Sequence, residues 1–276
     1  VKNMRFYYGG NNKKAYQNLV NKATFHSLCH YLYQHEAATL RDLKKEISNR
    51  DLEKTIEIAI KLRLLERVDR RYYLRFPIFS QKMVTDLEKE ETFQEALEIL
   101  KKEDSQNLFA ELNYFNRLLQ TTYFYAVHEE IQLADISELK NDEITLISCQ
   151  LQGDYTTLPY YFTALREDNT ITEEFALYDV LGDVDQDYAL NQFSYIIQRI
   201  HRGKKVRPSI FSQALLITKI LSVDTEGVWQ LRTPLLKHYE DNSINLAGDT
   251  LKWRLLFTKF LEWKGNDSLQ YILLKD

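Results

Sequence analysis

The chain is poor in the residues that turn and break a backbone, with 8 glycines and 4 prolines among 276 residues. So few punctuators argue against a many-turned β protein and favour long helices. Only two cysteines occur, Cys29 and Cys149, in separate apolar stretches with no second ligand type spaced around either. This speaks against a disulfide framework or a zinc site and matches the reduced thiols of a cytosol. No apolar run approaches the roughly 18 residues that a membrane span needs. The opening Val1-Lys2-Asn3-Met4-Arg5-Phe6 has no apolar signal-peptide core. A cytoplasmic protein with no membrane partner is the expectation.

Catalytic signatures are equally scarce. The sequence holds no Gly-x-Ser-x-Gly, no phosphate-cradling glycine loop, no His-Glu-x-x-His and no Cys-x-x-Cys. No catalytic residue, cofactor site or metal site is expected, and the protein is read as a non-enzyme. His26 and His30 stand four apart on one helical face, but Ser27 occupies the place where a zinc protease needs Glu. Asp183, Asp185 and Asp187 have the spacing of the first calcium ligands of an EF-hand. Tyr188 stands where that loop needs Gly and Ser194 where it needs Glu. The better reading is Gly182 ending one helix and an Asp capping the next.

What is present is an ordinary globular mixture, 44% hydrophobic and 28% charged, with its charge unevenly spread. Residues 1–79 carry 16 Lys and Arg against 8 Asp and Glu, leaving 20 and 32 for residues 80–276. A basic front and an acidic remainder suggest an end that faces a polyanion. The same split also suits an acidic domain docked on a basic one.

Residues 1–23 read as a basic arm (Lys2, Arg5, Lys13, Lys14, Lys22) with a turn at Gly9-Gly10-Asn11-Asn12, and Phe6, Tyr7 and Tyr8 available for packing. Phe25, Leu28, Cys29 and Leu32 form one apolar stripe and predict a helix over 25–35. Thr39 opens a second helix with Asp42 completing a capping box, and Leu40, Leu43 and Ile47 face inward. A third helix over 51–62 follows, with Asp51 at its N-cap; it buries Leu52, Ile56, Ala59 and Ile60 and turns Glu53, Lys54, Glu57 and Lys61 outward. Two β-leaning runs, 64–68 and 71–76, flank Asp69-Arg70 and read as a hairpin ended by Pro77.

The run Leu40-Arg41-Asp42-Leu43-Lys44-Lys45-Glu46-Ile47, a further helix, and Leu64-Leu65-Glu66-Arg67-Val68-Asp69-Arg70-Arg71-Tyr72-Tyr73-Leu74 together resemble the winged-helix family of helix-turn-helix domains. The resemblance implies a third helix near the major groove of duplex DNA and a wing on phosphates. The residues it singles out are Lys44, Lys45, Arg50, Lys54, Lys61, Arg67, Arg70 and Arg71, with Arg75 beside the wing. Against base reading, no Asn, Gln or Arg stands on the third helix after Arg50.

Beyond residue 80, helices are expected over 81–102, from 104 to about 119, and over 160–165, 172–181, 188–200, 209–221, 228–239 and 251–261. Strands are expected at 143–151 and 269–274, and 123–127 fits either state. The basic run Arg199 to Ser209 reads as a helix end and the next cap, or as an anion patch. Leu181-Gly182-Asp183-Val184-Asp185 and Arg207-Pro208-Ser209-Ile210-Phe211 resemble an uncharacterised Gram-positive bacterial family of unknown function, over much of the chain. The expected fold is mainly α with minor β. It comprises a basic arm (1–23), a winged-helix domain (24–79) and a mostly helical domain (80–276). The expected function is regulatory binding to duplex DNA; the alternative is a winged helix that docks a protein partner or a second copy of the chain.

Overall fold

The structure, a computed structural model, describes residues 4–151, 157–167, 176–265 and 268–275. They fall into two compact units: Val1–Glu91 with Phe115–Gln132, and Thr92–Tyr114 with Leu133–Asp276. Helix accounts for 49% and strand for 21%, the latter spread over four small sheets. That strand content overturns the expectation of a mainly α protein: the fold is mixed α/β.

In the first unit, β1 (Met4–Gly9) leads through a turn into α1 (Lys13–Val20) and α2 (Ala23–His35). Then come β2 (Ala38–Thr39), α3 (Leu40–Glu46), α4 (Leu52–Lys61), β3 (Leu65–Val68), β4 (Arg71–Leu74), β5 (Ile78–Phe79) and α5 (Gln81–Glu88). The chain returns as β6 (Tyr123–His128), antiparallel to β1 and parallel to β5. Residues 4–20, within the segment expected as an arm, thus supply a strand and a helix, and bury Tyr7, Tyr16 and Leu19. Phe6, Phe25, Phe76 and Phe124 bring β1, α2, the end of the hairpin and β6 into one aromatic cluster, with ring centroids 4.7–6.5 Å apart. A second sheet, β2-β4-β3, closes over α2, α3 and α4. The stripe Phe25, Leu28, Cys29 and Leu32 is fully inside, as its spacing predicts, with Leu43, Leu52, Ile56 and Ala59. Ile60, expected inside, is 37% exposed, because Ala59 and Ile56 already fill the buried arc of α4.

Thr39 and Asp42 form the reciprocal capping box that the sequence predicts for α3: Asp42 N–H donates to Thr39 Oγ1 at 3.3 Å and Thr39 N–H to Asp42 Oδ2 at 3.0 Å. Asp51 stands at the N-cap of α4 but does not cap it. Its carboxylate accepts from Thr24 Oγ1 at 2.6 Å and Lys22 Nζ at 3.1 Å, tying α4 to the start of α2.

The second unit contains α6 (Glu91–Lys102) and the part of α7 (Ser105–Leu118) up to Tyr114. Next come β7 (Ala134–Lys140), β8 (Ile144–Leu151), α8 (Leu158–Glu167), α9 (Ala176–Leu181), α10 (Gln186–His201) and α11 (Ile210–Ile217). The rest is β9 (Leu221–Val223), β10 (Trp229–Leu231), β11 (Leu235–Leu236), α12 (Thr250–Lys264) and β12 (Ser268–Leu274). A four-stranded sheet, β11-β12-β8-β7, forms its centre, and β8 is buried along all but its last residue. Ile144 and Leu146 pack with Leu139, Ile272 and the apolar residues of α8, α10 and α11. Toward α12, Arg254 donates to Ala134 O at 3.1 Å and Asp135 Oδ1 at 2.9 Å, while Thr258 Oγ1 accepts from Ala134 N–H at 2.7 Å. In α7, Glu111 Oε1 accepts from Ser243 N–H and Ile244 N–H, holding the irregular stretch before α12.

The helix expected over 228–239 is absent: β10 pairs with β9, and β11 lies parallel to β12. Pro234 removes a backbone donor and pushes Thr233 away from helical dihedrals, so the apolar residues on either side pair as strands. The helix expected from Thr172 is seen as α9; its first four residues lie outside the described ones. Gly182 (φ 55°) follows α9 and Asp185 caps α10 by accepting from Tyr188 N–H at 2.8 Å, the reading preferred to a calcium loop.

Two outcomes follow from the first unit. A Cβ on Gly9 would lie 2.5 Å from Leu119 O and 2.8 Å from Thr121 O, both backbone atoms. Gly9→Ala is expected to cost about 2 kcal/mol of stability, read as a lower urea midpoint. The Asp51 pKa is lowered, first by the Thr24 hydrogen bond and then by that of Lys22. A folded pKa below the unfolded one gives stability that is fully present above the unfolded value and lost as pH falls through the folded one. The melting temperature should therefore fall below about pH 4, and Asp51→Asn should shrink that fall; an unchanged acid profile in the variant would contradict the assignment.

Candidate nucleic-acid interface

The hairpin β3–β4 is set by its register. Leu65 pairs with Leu74, Glu66 with Tyr73, Arg67 with Tyr72 and Val68 with Arg71. Asp69 (φ 48°) and Arg70 (φ 64°) both occupy the left-handed region, the type I′ geometry whose twist matches the flanking strands. Leu65 and Tyr72 are buried, so Arg67 sits on the core-facing side of the ribbon, beyond the core's edge, with its guanidinium 5.6 Å from the Tyr72 ring centroid. Arg71 is on the other face, and Arg70 is at the tip. Arg67, Arg70, Arg71 and Arg75 are exposed. Arg75 pairs with Glu66 at 3.3 Å. On its other edge β4 pairs Arg71 with Thr39 of β2. Asp42, whose pKa is lowered chiefly by its Thr39 hydrogen bonds and less by the charges of Arg71 and Arg41, is the carboxylate in that field.

The helical candidates are more dispersed. Lys44 of α3 forms an ion pair with Glu53 of α4, so one expected phosphate contact already has a carboxylate partner. Lys45, Arg50 and Lys54 are exposed, Arg50 in the turn before α4. Lys54 and Lys61 share a face but lie about 10 Å apart along the axis. Lys61 instead borders a groove of about 350 Å³ with Arg63, Arg75 and the rings of Tyr123 and Phe124. Glu53 and Glu57 are exposed on α4 beside and between these cations.

Two residues escape the sequence reading. Lys22, placed in the arm, is an anchor of Asp51. Arg63 (φ 60°) ends α4 in a left-handed conformation, with Arg63 N–H donating to Ile60 O and Leu64 N–H to Ala59 O. This is the Schellman arrangement in which glycine is usual, and a chain with 8 glycines fills it with arginine.

The remaining motifs have structural contacts of their own. Arg199 donates through Nε and Nη2 to Lys205 O at 3.1 and 2.8 Å, and Ser209 caps α11 in a reciprocal box with Ser212. His26 Nε2 lies 2.7 Å from Val20 O. Among the described residues no group of His, Cys, Asp and Glu is placed to hold a metal. Cys29 and Cys149 are buried and unpaired, and desolvation raises both thiol pKa values. No helix among the described residues is long and apolar enough to cross a membrane.

Comparison with protein families finds one match: residues 5–114 fit a family described as Domain of unknown function (DUF1803). The match supports the expected likeness to an uncharacterised family; it covers the first unit's helices and hairpin and runs into α7, and does not reach 181–185 or 207–211. Curated proteins and solved structures give no match to the chain.

Proposed function

We propose that residues 24–79 are a winged helix and that the protein binds duplex DNA as a cytoplasmic regulator, with the β3–β4 hairpin as the wing. The order helix, short strand, helix, helix, hairpin, with the short strand completing a three-stranded sheet, supports the fold reading. The observation that carries the binding reading is the exposed trio Arg67, Arg70 and Arg71. None of the three forms an ion pair among the described residues, and they lie on two faces and the tip of one ribbon. A duplex backbone offers phosphates on both sides of an inserted ribbon, and guanidinium suits them in charge and shape. Lys45, Arg50 and Lys54 extend the footprint onto α3 and α4.

A second reading, docking of a protein partner or a second copy, draws on α4. Its outward face alternates sign, is already paired to α3 through Lys44–Glu53, and carries the exposed Ile60; Val68, 47% exposed, stands beside Arg71 on the hairpin. Such a surface suits a mixed polar and apolar interface better than a phosphate backbone.

Salt separates the two. Binding to a 20-base-pair duplex, followed by fluorescence anisotropy, should weaken steeply with ionic strength, and replacing Arg67, Arg70 and Arg71 by Ala should reduce the log–log slope by about 3. If the wild type holds no duplex at low salt, or the triple variant matches it, the binding reading is lost. Arg70→Gly makes a finer test. Removing a side chain from a left-handed turn position should raise stability by about 0.5–1 kcal/mol in urea unfolding while lowering duplex affinity.

A further inference from the structure

The geometry points to a second nucleic-acid site, on α10, that takes a single-stranded oligonucleotide. Residues 188–223 contain no Asp or Glu in a chain that has 40, yet they hold Arg199, Arg202, Lys204, Lys205, Arg207 and Lys219. Within α10, residues 189, 190, 193, 194, 196 and 197 are buried. The opposite face presents Tyr188, Asn191, Tyr195, Arg199 and Arg202, spaced 3, 4, 4 and 3 residues apart, a continuous stripe on a helix.

Two tyrosines on this stripe are the feature that a plain anion patch does not need. Tyr188 is 54% and Tyr195 56% exposed, where a buried core would have absorbed both rings. They stand about 10 Å apart along the axis. Tyr195 carries the Arg199 guanidinium 5.5 Å from its centroid, and that guanidinium is held in place by Lys205 O. The Tyr188 ring meets Phe211 edge-on at 5.7 Å, while beside Tyr195 opens a groove of about 380 Å³ bordered also by Arg199, Arg202 and Lys204. The one carboxylate on its wall, Glu143, accepts from Ser194 Oγ and Gln198 Nε2 and makes no ion pair with the groove's cations among the described residues.

Exposed aromatic faces interleaved with fixed cations are the chemistry of single-strand recognition: bases stack on rings while the backbone follows the charges. A duplex hides its base faces and offers a tyrosine nothing to stack on. An acidic peptide would use the cations and leave both rings without a role. The site lies wholly within the second unit, so it stands or falls independently of the hairpin.

The test uses the full chain and a fluorescein-labelled twelve-nucleotide oligothymidine, with anisotropy read at low and high salt. Expected are salt-sensitive binding, a preference over the duplex of the same length in the variant lacking Arg67, Arg70 and Arg71, and a loss of about tenfold in affinity for Tyr195→Ala that Tyr195→Phe restores. Arg202→Ala with Lys204→Ala should weaken binding and flatten its salt dependence. The hairpin variant lacking Arg67, Arg70 and Arg71 should keep this binding, so that loss of one site is distinguishable from loss of the other. Absence of binding at low salt, equal affinity for the Tyr195→Ala protein, or equal competition by polyglutamate would each overturn the site.

Discussion

The pairing of Leu65 with Leu74 and of Arg67 with Tyr72 decides where every arginine of the hairpin points. Side chains alternate across a strand, so a slip of β4 by one residue would send Tyr72 into solvent and bring Arg71 onto the face of Arg67. Against that slip stands the burial of Leu65 and Tyr72, side chains of a size worth about 2 kcal/mol each when removed from water. The cost of an arginine in a left-handed turn is of order 1 kcal/mol, which is smaller. The core therefore dictates the register, and the turn at Asp69-Arg70 accepts strain to follow it. The positions of the exposed charges are a consequence of what is buried beneath them.

A comparable constraint organises the second unit. Strand β8 is covered on both faces, so its polar groups need partners as well as its apolar ones. Ser148, Gln150, Ser137 and Thr157 meet this need for one another: Ser148 Oγ lies 2.8 Å from Gln150 Oε1 and 2.9 Å from Thr157 Oγ1, and Gln150 Nε2 donates to Ser137 Oγ at 3.4 Å. Next to β8, Arg254 is 4% exposed and joins α12 to Ala134 and Asp135 of β7. Removing Asp135 would take a carboxylate from a buried cation, a larger loss than breaking an exposed surface pair.

Legibility in the sequence follows the separation of partners. The stripe on α2, the Thr39–Asp42 box, the outward face of α4 and the two-residue turn are local, and each could be read from spacing. The Gly182 and Asp185 termini were legible for the same reason, and the C-terminal strand by its own β-leaning run, although its partner β8 is remote. Strand β1 was not, because Met4 pairs with His128 far along the chain, and aromatic Phe6-Tyr7-Tyr8 reads equally well as a packing arm. Strands of two residues, such as β2, β5 and β11, carry no period at all. β10 lies inside a stretch whose apolar residues also fit a helix, and β9 begins where the preceding expected helix ends. The mainly α expectation failed on this accumulation of short strands with remote partners. Within the candidate interface, the identity of each cation was legible and its pairing was not. Glu53 takes Lys44 from another helix, and Asp51 takes Lys22 from another turn.

That pairing bears on how the proposed interface would behave. Lys44 and Glu53 are 53% and 59% exposed in their side chains, so their ion pair contributes at most about 1 kcal/mol and is weakened further by salt. A phosphate approaching α3 can draw Lys44 away, but it then meets Glu53 unpaired, with Glu57 one turn on. The gain at Lys44 is offset by repulsion at Glu53, and the net contribution of α4 to a polyanion is small. The hairpin carries a smaller debit, since Arg67, Arg70 and Arg71 form no ion pair among the described residues and only Arg71 feels a carboxylate, Asp42. Affinity in a duplex complex would then come from the ribbon and its phosphates, which carry no sequence information. On this reading α4 sits near the groove mainly to set orientation, and discrimination between sequences is modest unless a second copy doubles the contacts.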